Sequence, residues 1–522
     1  MKVFTGEQMA EIDRRSIEWG KPGIELMRAA GKAVYEFMAE VYPDLSEKKV
    51  VVVTGKGNNG GDGFRVAELL RLNGIPADVF LIGRKREVRG DALACLSALE
   101  KTGVKVEEIH GQEDLGLFIE RIESADVIVD ALFGTGLRGE ITGLAAAVVE
   151  LVNHAPAEVV AVDIPSGVDS NTGQVSEAAV QADYTVTFGF LKAGMVIKPG
   201  RFFCGSIQAA DIGFPLEVSD MIAPFAHTLS RSEAAALIPA RPYDAHKNSA
   251  GKVFILSGSV GMTGAPALCA ASAMRSGAGL ARVGCPESLS DILAVKLTEV
   301  MNLPLPEVRK KRCLSLRALG KIREAVENMD AVAVGPGLGT YYETSELVRR
   351  FLGEYRGKVI LDADGINAFR SERAALANTP GDMVLTPHAG ELSRLMEKPA
   401  AEIMTDPIGA AKQAAAELGK IVLLKGPTTA IANPAGEVWL NPTGNQALAT
   451  AGAGDVLTGT ITGLAAQGLD LFPAAVLGAF VHGLAGEIAS EEMGIRGVMA
   501  GDVLEFLTQA FDEIEAETIF DL

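Results

Sequence analysis

The chain has 522 residues, 48% of them hydrophobic and 22% charged, with a formal charge of −19. That length exceeds a single hydrophobic core and implies roughly two to four domains. The acidic balance excludes sequence-independent nucleic-acid binding, which needs a basic surface, but not a phosphate-bearing ligand, because helix N-termini and backbone amides bind phosphate without net positive charge.

The opening MKVFTGEQMAEIDRRS lacks the apolar core of a signal peptide. Thr5 with Gln8 makes a capping-box pair that predicts a first helix, and LMRAAGKAVYEFM predicts a second. From Lys49 onward short β-branched runs alternate with helical patterns, which predicts strands at 50–54, 78–82, 126–131, 158–163 and 183–188. Residues Phe214 to Ser230 carry Pro215 and Pro224 and no strong periodicity, so the domain boundary falls there, between domains spanning 1–217 and 226–517. The alternation then restarts, with strands expected near 252–257, 281–284, 330–334, 358–363, 382–385 and 420–425. A hairpin is expected across 428–440, turning at Asn433-Pro434-Ala435-Gly436.

The most apolar stretch, Ile461 to Ala489, is interrupted by Gln467, Asp470, Pro473, His482 and Glu487, which favours buried core helices over a membrane span. Five scattered cysteines without a CxxC pair fit reduced thiols rather than a disulfide frame or a zinc site. The expected fold class is α/β: two tandem domains, each a mostly parallel sheet with helices on both faces. The expected setting is cytoplasmic, with no nucleic-acid or membrane partner.

In open α/β sheets ligands gather at the carboxyl ends of strands. Three such ends in the first domain are chemically loaded: GKGNNGGDG (Gly55 to Gly63), VIVDALFGTGLRG with Asp130 at its edge, and VAVDIPSGVDSNTG with Asp163, Ser166 and Asp169. The spacing Gly55-x-Gly57-x-x-Gly60 matches a dinucleotide fingerprint. Its acidic partner is misplaced, however: Asp78 opens the second strand, and Gly83, Arg84 and Lys85 close it. The more general reading is that glycines let backbone amides approach an anion at a helix expected to start near Asp62. Asn58 and Asn59 offer amide groups to a ribose, a nicotinamide amide or a cation. Asp130 and Ser166 either complete an oxygen cage with Asn59, which suits a hard cation, or merely cap a turn and a helix.

GKGNNGGDG, DALFGTGLRG and VDIPSGVDSNTG, followed by TFGFLKAG and KPG, resemble the YjeF N-terminal domain, the epimerase half of the NAD(P)H-hydrate repair enzymes. The resemblance spans about residues 1–215 and implies interconversion of the R and S hydrates of NADH and NADPH at C6 of the nicotinamide ring. It implies a potassium ion at Asn59, Asp130 and Ser166. Ligand contacts are implied along Asn58, Asn59, Gly60, Gly61 and Asp62, along Gly134, Thr135, Gly136, Leu137, Arg138, Gly139 and Glu140, and at Asp163. Asp163, at a strand end beside the implied cation, is the candidate proton carrier.

The second domain repeats the logic of strand, glycine loop and helix. TAGAGDVLTG opens an apolar helix at which Gly452-Ala453-Gly454 present successive amides to a phosphoryl group. Asp455 lies in its first turn, placed to take a proton from an attacking hydroxyl. With HKNSAGKVFILSGSVGMTGAP, VGPGLG, LDADGINAF, TPHAGE and LLKGPTT, this ensemble is similar to the ribokinase-like fold and, more narrowly, to the ADP-dependent NAD(P)H-hydrate dehydratases across residues 230–515. The resemblance implies that ADP phosphorylates the C6 hydroxyl of the S hydrate and that phosphate is then eliminated. It makes Asp455 the base, places hydrate contacts at Ala265, Gly337, His388 and Asp455, and puts ADP at Lys425, Gly426, Pro427, Thr428, Thr429 and Gly454. Magnesium is expected with the nucleotide. One departure is Ala453, where members of that family often have serine. The partners implied are NADH hydrate, NADPH hydrate and ADP, with a homo-oligomer expected. The residues alone leave open a ribokinase-like small-molecule kinase carrying an N-terminal ligand-binding module.

Overall fold

A computed structural model describes residues 1–520, which divide into two compact units, Met1–His227 and a second that begins at Thr228. The first unit is built on a seven-stranded parallel sheet. In spatial order its strands are Val106–Ile109, Ala77–Ile82, Val50–Thr54, Val127–Ala131, Glu158–Val162, Tyr184–Phe188 and Ser206–Ala210. The run of four valines explains the central strand, because alternate side chains enter two different cores. Val50 and Val52 pack with the helices Gly23–Val41, Asn58–Leu72 and Gly90–Lys101, whereas Val51 and Val53 pack with Leu115–Glu123 and Gly143–His154. From Val50–Thr54 the chain first winds outward through Ala77 and Val106. It then returns to pair Val127–Ala131 on the other side, so the strand order reverses between these two central strands. A crevice opens at such a switch point.

The expected capping box is formed. Thr5 Oγ1 accepts from the Gln8 amide (3.1 Å), and Gln8 Oε1 accepts from the Thr5 amide (2.9 Å). It starts the helix Gly6–Glu18, on which Met9, Asp13 and Ile17 recur every four residues along one face.

The second unit holds seven parallel strands, in the order Met301–Leu305, Leu280–Pro286, Lys252–Leu256, Ala331–Val334, Lys358–Leu361, Met383–Leu385 and Ile421–Leu424. The antiparallel hairpin of Ala430–Ala432 and Val438–Leu440 extends it. Its main core packs the helices Gly264–Arg275, Ala453–Ala466 and Leu471–Met493 against the sheet. Leu471–Met493 is long and apolar enough to cross a membrane by composition alone, but 83% of its most apolar window is buried.

Among the parallel strands of the two sheets described above, Val106–Ile109, Ser206–Ala210 and Met301–Leu305 lie outside the sequence expectation. All are sheet-edge strands within their unit. Glu107, Glu108 and Pro304 explain the weak signal, since edges tolerate charge and proline where central strands do not. A second difference bears on the site. The helix after the first glycine loop starts at Asn58, behind an extended Gly57, and not near Asp62. The positive end of that helix therefore lies at Asn58 and Asn59, and Asp62 sits in its second turn.

Candidate active sites

The crevice of the first unit deepens into a cavity of about 620 Å³, within the range of small-molecule sites. Its wall includes Met9, Asp13 and Ile17 from the first helix, Lys56 to Asn59 and Asp62, Leu132 to Arg138, and Asp163 with Lys192. Of the residues expected to contact ligand, Asn58, Asn59, Asp62, Gly134, Thr135, Gly136, Leu137, Arg138 and Asp163 line it. Gly60, Gly61, Gly139 and Glu140 do not. A Cβ on Gly60 would stand 1.9 Å from the Gly55 carbonyl oxygen, so this glycine lets the loop fold back on itself. Glu140 is turned to Ser176 Oγ (2.8 Å) and the Glu177 amide (3.1 Å), and the Ser176 hydrogen bond holds its carboxyl below the usual range.

Asp163 follows its strand by one residue at φ 67°, a left-handed conformation that a non-glycine residue adopts at a cost. Its carboxylate is ion-paired to Lys192, which is 1% exposed. Lys192 Nζ also donates to Thr187 Oγ1 (2.7 Å) and to the Phe188 carbonyl (3.1 Å). The ammonium is thus held on three sides, aimed at Asp163.

Beside them, Ser166 Oγ donates to Asp130 Oδ1 (2.7 Å), and the Ser166 amide donates to Asp130 Oδ2 (2.8 Å). Burial pushes the Asp130 carboxyl upward against these hydrogen bonds. Asn59 is buried, and neither its Oδ1 nor its Nδ2 has a hydrogen-bond partner, a costly state in a folded protein. An orphaned amide oxygen, a buried carboxylate and a serine hydroxyl are, by their chemistry, a donor set that fits a hard monovalent cation.

In the second unit the helix Ala453–Ala466 begins behind Gly452, whose φ of 95° only glycine adopts readily. Asp455 stands in its first turn. Burial, followed by the facing Asp362, pushes its carboxyl up to about 7, against the pull of Lys425. Lys425 Nζ donates to Asp362 Oδ1 (2.9 Å), and a Cβ on Gly454 would lie 3.2 Å from the same ammonium. The lysine therefore stands over the amides at the helix start. Burial opposes its charge, but Asp362, Glu391 and Asp455 hold it above the ordinary lysine range.

Adjacent strand ends bridge His388 to Lys425. His388 caps the helix Ala389–Met396, its Nδ1 accepting from the Gly390 amide (2.9 Å), while its ring stays half exposed. Ala265 and Gly337 lie against each other, since a Cβ on Gly337 would stand 3.1 Å from that of Ala265. Thr428 is buried, whereas Gly426 and Pro427 are exposed at the rim. Behind the helix start His482 is buried, and that burial holds its imidazole down at about 4.

The sequence reading missed Asp13, Lys56 and the role of Lys192, and it left Asp362 out of the site, between a magnesium ligand through water and a turn cap. For Asp362 the signal was present in LDADGINAF, at the end of a strand. Asp13 reads as one of many charges on an amphipathic helix, and only the packed first helix brings it to the cavity.

Residues 23–194 match the family described as YjeF-related protein N-terminus, and residues 253–509 match the family described as NAD(P)H-hydrate dehydratase. A bifunctional NAD(P)H-hydrate repair enzyme of Moorella thermoacetica is 40% identical, the alignment covering 99% of this chain and 98% of that protein. One of Thermofilum pendens is 37% identical over 98% of this chain and 96% of that protein. The solved ADP/ATP-dependent NAD(P)H-hydrate dehydratase of Bacillus subtilis, co-crystallised with ATP and Mg2+, is 31% identical, covers 56% of this chain and 100% of that one, and superposes with a TM-score of 0.49. Similarity of this degree to such relatives along nearly the whole length of both chains makes this one a member of the bifunctional NAD(P)H-hydrate repair enzyme family.

Proposed function

We propose that the first unit interconverts the R and S hydrates of NADH and NADPH, and that the second unit dehydrates the S hydrate at the expense of ADP. The observation that carries this reading is Asp455, a carboxylate with its proton poised at about 7 in the first turn of a glycine-started helix under a lysine. Such a group takes the proton of an attacking hydroxyl near neutral pH. The amides of Ala453 and Gly454 and the Lys425 ammonium receive the charge on the phosphoryl group.

In the second unit the C6 hydroxyl oxygen bonds to the β-phosphorus of ADP as the bridging P–O bond breaks, releasing AMP. The C6–O bond then breaks, phosphate leaves with its electron pair, and loss of the C5 proton restores the dihydronicotinamide. The sum is S hydrate plus ADP giving NAD(P)H, AMP and phosphate. Ala265, Gly337 and His388 face the hydrate, and the loop Lys425 to Thr429 with Gly454 faces ADP. Magnesium, when bound with the nucleotide, would screen its phosphate charge.

In the first unit the cavity takes the nicotinamide end, with Asp163 moving the proton of the hydroxyl on C6 while Lys192 keeps its carboxylate in place. Asn59, Asp130 and Ser166 are the residues that would hold potassium, which would neutralise Asp130 and fix the loop walls. The five free cysteines, all buried, support a reducing, cytoplasmic setting. We also infer a homo-oligomer, checked by light scattering on the purified chain.

The test is to incubate the protein with mixed NADPH hydrates and ADP. Full recovery of NADPH absorbance, with one AMP and one phosphate per cofactor, is expected. Recovery of half would remove the epimerase. A stable phosphorylated product without recovered absorbance would remove the dehydratase in favour of a kinase.

A further inference from the structure

The first cavity contains more acid than a single proton carrier requires. Asp62 is 8% exposed and projects from the second turn of the helix Asn58–Leu72 into the cavity wall. Among the described residues no amide or side chain hydrogen-bonds to its carboxyl. Asp163 stands in the same cavity with the opposite provision, a buried ammonium dedicated to it. Two carboxyl groups so unequally furnished divide into an acid and a base. We propose that Asp62 is the general acid of the epimerisation and that Asp163 is its complementary base.

The assignment rests on the epimerase reading of this unit. Its chemistry follows from the hydrate, whose C6 carries a hydroxyl and is bonded to the ring nitrogen. The Asp62 proton passes to the C6 hydroxyl oxygen, and the C6–O bond breaks with its electron pair leaving in water. The nitrogen lone pair forms the N1=C6 double bond, giving a planar cation flanked by carboxylates. Water then adds to the opposite face, the π pair returns to nitrogen, and Asp163 takes the proton released by the new hydroxyl. One water leaves and one enters, so no oxidant or reductant is needed. Asp62 ends as the carboxylate and Asp163 as the acid. The reverse turnover, or exchange with solvent at the cavity mouth, restores the pair.

The surroundings agree. Burial first, then the facing Asp163 and Asp13, hold the Asp62 carboxyl well above the usual range, and Lys192 opposes them only in part. Cys95, from the helix Gly90–Lys101, is also coupled to it, and burial keeps that thiol protonated, pushed up to about 11; Lys56, Asp91 and Arg138 are further charged groups on the cavity wall. Asp62 is therefore the carboxyl that stays neutral and able to donate, beside one already matched by a cation.

The experiment follows R-to-S conversion of NADPH hydrate by chromatography, without ADP, on the full-length protein and on Asp62→Asn. The variant is expected to lose about 10²- to 10⁴-fold in conversion, while ADP-dependent dehydration of the S hydrate by the second unit is retained. Conversion within about threefold of wild type would overturn the assignment. As a check independent of how the variant folds, kcat/KM of wild type is measured from about pH 5 to about pH 9. Loss of rate on the alkaline side, where the acid is deprotonated, is expected, and a flat alkaline side would overturn the proposal. Absence of conversion by wild type at any pH would instead overturn the epimerase reading, and the Asp62 assignment with it.

Discussion

Asp455→Asn separates the catalytic burden of the second site from its structural cost. The substitution keeps the shape of the side chain and removes its charge. In the folded protein the Asp455 carboxyl holds its proton to about 7, against 3.8 for an unperturbed aspartate. At about 1.4 kcal/mol per tenfold change, that displacement amounts to roughly 4 kcal/mol of resistance to ionisation. Because the folded-state value is raised, the associated stability is complete below about pH 4 and is lost as pH rises through about 7. Asparagine never ionises and escapes this loss. Relaxation around the carboxylate reduces the gain, so we expect Asp455→Asn to stabilise the second unit by about 1 to 3 kcal/mol at pH 8 and by about two fifths of that at pH 5. At about 2 °C per kcal/mol for a unit of this size, its melting transition should rise by about 2 to 6 °C at the higher pH. Dehydration should fall by about 10²- to 10⁴-fold. Calorimetric melts at the two pH values, beside the recovery of NADPH absorbance, measure both effects. A variant that melts no higher than wild type at pH 8, or that keeps more than about a tenth of the activity, would refute the placement of Asp455 as a buried, reluctant base.

Other substitutions probe the first unit. Asp163→Asn is expected to leave binding of the hydrate intact, measured by protection against thermal unfolding, while conversion drops by about 10²-fold or more. Lys192→Met strands Asp163 without its cation and should destabilise the first unit by about 3 kcal/mol. Adding Asp163→Asn to it should recover part of that loss in denaturant melts. Gly60→Ala forces a Cβ to within 1.9 Å of the Gly55 carbonyl oxygen, so it should abolish conversion by unfolding the loop while the second unit keeps its ADP-dependent activity on the S hydrate. If Asn59 holds a cation, replacing potassium by tetramethylammonium should lower the melting temperature of the first unit in wild type but not in Asn59→Leu. Equal shifts in both proteins would remove Asn59 from the site.

Local vocabulary is written in the order of the amino acids. The valine run, the Thr5–Gln8 cap, the glycine loops at strand ends and the Gly452 to Asp455 helix start are all encoded within a few residues, where propensity and sterics decide. Edge strands such as Val106–Ile109 escaped notice because an edge asks little of its side chains, and the start of the Asn58 helix was obscured by glycines that do not favour helix. Which charges meet is settled by the folded chain alone. Lys192 reaches Asp163 across 29 positions and Lys425 reaches Asp362 across 63, each through the order in which parallel strands take their places. The same order brings Asp13 and Asp62 into one cavity with Asp163. Coulomb forces and desolvation act through space, so a carboxyl becomes an acid or a base only once the sheet has chosen its neighbours.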